Sequence, residues 1–174
     1  MKMKVFTAIS DRIASTFGVI SATCCFLLVV ITVCDVVLRY ALSAGSVAVQ
    51  ELEWHLYSLV FLLGAAVTLR QGGHVRVDVL YLRLPGRLRK LVDALGIVFF
   101  LIPFCVLVIA TSWTMVVSAY HSGEGSPDPG GLPYRWIVQA AIPLGFSVLL
   151  LSGFTELLQI VFGHRDEQES DRGE

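Results

Sequence analysis

Four long apolar runs, separated by shorter polar stretches, set the pattern of the chain. They lie at about 13–40, 49–70, 86–120 and 134–162. A bilayer core is about 30 Å thick and takes ~20 predominantly apolar residues of helix to cross. The pattern therefore predicts an all-α membrane protein with four transmembrane helices. One membrane domain, 13–163, is flanked by an N-terminal segment, 1–12, and a charged tail, 164–174.

Each run carries local signals. The first would be ~42 Å long as a helix, which predicts tilt or an end protruding into the headgroups. Ser10 or Asp11 is placed to cap its start. In the second, the apolar part from Leu56 to Leu69 is short for a crossing, so the span must include Glu51, Glu53, Trp54 and His55. Trp54 and Tyr57 suit an interfacial belt. Gly72-Gly73 would end this helix. The third run starts amphipathic, with Leu88, Leu91, Val92 and Leu95 at helical spacing, and Pro103 predicts a kink. His121–Tyr134 is rich in Gly and Pro and reads as a loop. The fourth run holds Gln139, Pro143, Glu156 and Gln159.

Between the second and third runs lies RQGGHVRVDVLYLRLPGRLRK, Arg70 to Lys90. Val75 to Val79 alternates like a strand, but an isolated strand at a membrane surface leaves its backbone unpaired. A short interfacial helix beginning near Asp78 is expected instead, ending before Pro85.

Composition agrees with this class: of 174 residues, 55% are hydrophobic and 16% charged, against about 45–50% and about 25% in soluble domains. The distribution of charge says more than its sum of −1. Lys2, Lys4 and Arg12 precede the first run, six basic residues fill the central loop, and Arg165 and Arg172 follow the last run. Only Arg39 and Arg135 fall on the other side. Lys and Arg resist translocation, so the central loop and both termini are expected in the cytoplasm of a bacterium, with the chain multi-pass in its inner membrane. The run from Phe17 to Cys34 exceeds a signal-peptide core of about 7–15 residues, so the first span is expected to be retained. Cys24, Cys25, Cys34 and Cys105 all lie within apolar runs and read as small buried hydrophobes.

Candidate chemistry is sparse. Asp35 and Arg39 are four apart, acid first, on one helical face. Glu51 lies near the same end of the next span. An Asp35–Arg39–Glu51 cluster is geometrically plausible, as a helix-pinning salt bridge, a docking point for another polypeptide or a step in a proton or ion path. No catalytic constellation, substrate site, cofactor site, metal spacing or nucleic-acid-binding pattern is found. One redox alternative stays open: four-helix membrane bundles hold b-type haem between histidines, and His55 and His121 fall near one face. A small channel or exporter working without partners is the third reading.

The order of short motifs between Asp35 and Arg89 is more specific than any one of them. It runs Asp35, Arg39, Glu51-Leu52, Leu63-Gly64, Arg70, His74, Val77-Asp78, Leu84-Pro85 and Arg89, followed by Gly131-Leu132-Pro133, a tryptophan and Ile142-Pro143-Leu144-Gly145. This resembles the small, DctQ-like membrane subunit of the tripartite ATP-independent periplasmic (TRAP) transporters, from about Ile13 to Phe162. The resemblance implies four membrane helices and a large elevator-type membrane subunit as partner, which holds the substrate and sodium sites. It implies a periplasmic binding protein that delivers a carboxylate-type solute, and a scaffolding role, embedded in membrane lipids, for this chain. On that reading Asp35, Arg39 and Glu51 fix the turn before the second span, and Arg70, His74 and Asp78 fix the turn after it.

Overall fold

The computed structural model describes residues 2–70 and 85–162. The expected interfacial helix, the Gly72-Gly73 stop and the charged tail lie outside the described residues. Helix α1 spans Lys2–Leu42 and α2 spans Val47–Arg70. Then come α3 at Gly86–Gly96, a π-helical segment at Ile97–Leu101, α4 at Ile102–Ser122 and α5 at Trp136–Val161. Helix α3, the π-helical segment and α4 follow without a break. Among the described residues, four helical stretches are thus long and apolar enough to cross a membrane: Val5–Leu42, Val47–Arg70, Leu88–Ser122 and Trp136–Val161.

Helices α2 and α5 form the middle of the bundle. Helix α2 packs on α1 at one side and on α5 at the other; α4 packs on α5, and α1 also reaches α5. Lipid tails are as apolar as leucine, so association rests on close packing and on polar contacts between helices. The sequence supplies both. A Cβ on Gly145 of α5 would lie 2.8 Å from the Leu62 carbonyl oxygen of α2, so only glycine permits this approach of two backbones. The Ser21 hydroxyl of α1 donates to the Val60 carbonyl of α2 at 2.9 Å. Phe104 and Phe146 meet edge to face across α4 and α5, at 5.7 Å between centroids. The outward flanks of α1 and α4 stay apolar and exposed, at Val19, Phe26, Val29 and Val33 on α1 and at Phe104, Leu107 and Trp113 on α4.

Two local expectations change. Helix α1 begins at Lys2 and has 41 residues, so Ser10 and Asp11 lie well inside it and do not cap its start. Lipid-like burial is also uneven among the thiols: Cys24 and Cys105 are buried, whereas Cys25 and Cys34 are exposed on the flank of α1. At Pro103, the helix responds by widening one turn. The Ile102 N–H bonds the Ile97 carbonyl, five residues back rather than four. Proline has no N–H and its ring crowds the carbonyl four residues earlier; a wide turn just before it relieves that crowding.

Candidate functional site

The polar residues gather at the two ends of the bundle. At one end, Arg70 closes α2. Its guanidinium donates to the Ser10 hydroxyl at 2.8 Å and pairs with the Asp11 carboxylate, both on α1. The Thr155 hydroxyl of α5 lies 3.0 Å from Ser10 and also donates to the Leu151 carbonyl at 2.8 Å. Three helices are therefore tied by one connected set of hydrogen bonds. Ser10 and Thr155 are 2% and 0% exposed, so neither hydroxyl has water to fall back on. Phe6 and Phe154 close this end edge to face, at 6.4 Å.

At the other end, Asp35 and Arg39 form the expected ion pair within α1. Asp35 is buried and the Arg39 side chain is 41% exposed. Gln50, from the first turn of α2, lies against the same guanidinium; with its amide oxygen turned inward it accepts from Arg39 at 2.9 Å. The connection 43–46 is short and closed by Ala44 N–H to Leu38 O at 3.3 Å, with Ser43 left-handed at φ 52°. That brevity places the start of α2 beside Arg39.

Glu51 does not join this pair. One residue beyond Gln50, it is rotated by about 100° around the helix and faces the loop between α4 and α5. It accepts from the Ser126 hydroxyl and from the Leu132 N–H, the latter at 2.6 Å. The loop also bonds to itself, through Ser126 N–H to Leu132 O and Arg135 N–H to Glu124 O, both at 3.0 Å. A Cβ at Gly131 would lie 2.8 Å from Glu51 Oε2 and closer still to Ser126, so the carboxylate seats on bare backbone. His55 and Arg135 line the same hollow of about 380 Å³. Arg135 and Glu124 pair at 3.4 Å, both half exposed, a contact worth about 0–1 kcal/mol.

Of the six residues singled out from sequence, the structure brings Asp35 to Arg39, sends Glu51 to the loop and joins Arg70 to α1. His74 and Asp78 lie outside the described residues. Ser10, Asp11, Gln50, Ser126 and Thr155 were not singled out for these contacts. Gln139, on α5, has its buried Oε1 without a partner among the described residues. Among the described residues, each of these contacts holds helices or a loop in place.

A family model described as "Tripartite ATP-independent periplasmic transporters, DctQ component" matches residues 28–163. The chain belongs to the DctQ family. Among similar proteins, a C4-dicarboxylate TRAP transporter small permease protein DctQ from Rhodobacter capsulatus is 34% identical over 66% of this chain and 47% of its own length. The protein of the same name from Vibrio cholerae is 26% identical over 78% of this chain and 67% of its own length. The match thus spans about half of the Rhodobacter protein. DctQ membership makes the chain a TRAP transporter component of the inner membrane, not an enzyme; the Arg39 end falls within the matched segment, whereas Ser10 and Asp11 of the other end precede it.

Proposed function

We propose that this DctQ-family chain is the small subunit of a sodium-coupled TRAP transporter, bracing a large elevator-type subunit while a periplasmic binding protein delivers the solute. The observation that carries this reading is how the polar groups are used. Asp35, Arg39, Glu51 and Arg70 hold the chain's own helices and loop, while the flanks of α1 and α4 remain apolar and exposed. A rigid bundle with greasy sides suits a static brace. It gives no reason to place solute recognition in this chain. The names of both relatives make a C4-dicarboxylate the first solute to test.

Affinity purification from native membranes in mild detergent tests the assembly. The large subunit should copurify, and Arg39→Ala should reduce both its recovery and C4-dicarboxylate uptake by the assembled complex. Uptake should stop when choline replaces sodium. Solute accumulation by this chain alone in liposomes would overturn the proposal, and a haem absorption band in the purified protein would favour the redox alternative.

A further inference from the structure

The segment 123–135 joins α4 to α5, and hydrogen bonds fix its backbone at three levels. Arg135 N–H to Glu124 O closes the base and Ser126 N–H to Leu132 O the neck, both at 3.0 Å. Gly131 N–H to Asp128 O, also at 3.0 Å, makes the turn at the tip. Pro129 and Gly130 are the middle residues of that turn, and Gly130 is left-handed at φ 84°, the arrangement of a type II turn. The Ser126 hydroxyl links the tip to α2: it donates to Glu51 and accepts from the Asp128 N–H, the latter at 3.1 Å. A carboxylate at the end of a membrane helix thus holds the shape of a surface loop. Tyr120 and Trp136 meet edge to face at 5.4 Å where α4 ends and α5 begins. Such rings sit at headgroup depth, so the tip beyond them stands in water. Pro127, Asp128, Pro129 and Gly130 are all exposed there. Glu124 is matched by Arg135, whereas the Asp128 carboxylate enters no ion pair among the described residues.

A loop already fixed in shape loses little freedom when it binds, so its contacts count toward affinity in full. We propose that this tip is a contact surface for a soluble protein, with Asp128 taking a Lys or Arg of that partner and Pro127 and Pro129 packing beside it. Glu51 is then a positioning residue: it touches no partner and acts through Ser126 on the carboxylate that does. The inference rests on the transporter reading above and commits to one partner, the binding protein that delivers the solute. An exposed carboxylate on a turn that stands in water suits a water-borne basic surface. A neighbour embedded in the bilayer meets the apolar flanks of α1 and α4 instead.

Uptake into proteoliposomes of the assembled complex, with purified solute-loaded binding protein added outside, tests it. Asp128→Lys places like charges together, so the binding-protein concentration for half-maximal uptake should rise about tenfold, with little change in the rate at saturation. Asp128→Asn should raise it less, and added salt should narrow its difference from wild type. Glu51→Gln should raise it severalfold while the large subunit copurifies as with wild type. Half-saturation unmoved by Asp128→Lys would overturn the inference and leave the transporter reading standing. Failure of the wild-type chain to recover the large subunit would remove that reading, and this inference with it. In intact cells, a photocrosslinking residue at Pro127 should capture the binding protein. An adduct with the large subunit in its place would assign the tip to subunit assembly and also overturn the inference.

Discussion

Arg70 carries charge into a place where both its partners, Ser10 and Asp11, come from α1. Its hydrogen bond to buried Ser10 is charge-assisted, a class worth about 1.5–3 kcal/mol, and Thr155 extends the set. Asp11 is 53% exposed, so its ion pair is screened and worth about 0–1 kcal/mol. Arg70→Met should therefore lower the thermal midpoint of the purified protein clearly, and Asp11→Asn only slightly. Equal shifts would mean that the ion pair, not the buried hydroxyls, holds this end. Glu51 makes a second residue-scale case. Glu51→Gln keeps shape but weakens the acceptor, so the Leu132 amide should exchange with solvent roughly tenfold faster, as read by hydrogen–deuterium exchange. The sequence made Asp35–Arg39 legible because a spacing of four fixes a helical face. The Ser10–Thr155 contact spans 145 residues, and small hydroxyls in apolar runs carry no periodicity. Glu51 was assigned to Arg39 because both lie near the same end; its rotation on α2 and the path of the Gly/Pro loop decided otherwise.

At the scale of elements, α2 and α5 depend on one close approach. Gly145→Ala would push a methyl against the Leu62 backbone, which is not free to move like a side chain. Overpacking of this kind costs about 1–3 kcal/mol, and Gly145→Val should cost more. Size-exclusion profiles and thermal midpoints in detergent should fall in the order wild type, Ala, Val. Element positions were legible because hydropathy reports length directly: the fourth span was expected over 134–162 and α5 occupies Trp136–Val161. The π-helical segment at Ile97–Leu101 was not, since Pro103 announces a disturbance but not whether the helix bends or widens.

For the whole molecule, the arrangement of basic residues makes a directional prediction. An even number of crossings puts both ends of the chain on one side, with the 123–135 loop on the other. In intact cells expressing a cysteine-free background, Glu124→Cys should react with a membrane-impermeant maleimide from outside. Arg89→Cys should react only after permeabilisation. The reverse pattern would invert the bundle while leaving its internal contacts unchanged.

The length of α1 has a consequence for how the protein meets its membrane. Forty-one residues make a rod of about 61 Å, longer than a bilayer of about 40–45 Å with its headgroups. With the Arg39 end at one surface, an upright α1 would carry its opposite tip past the other as a short mast, lashed to its neighbours near Ser10 and Asp11. Load applied at that tip would pass to α2 through Arg70 and to α5 through the Thr155 hydroxyl.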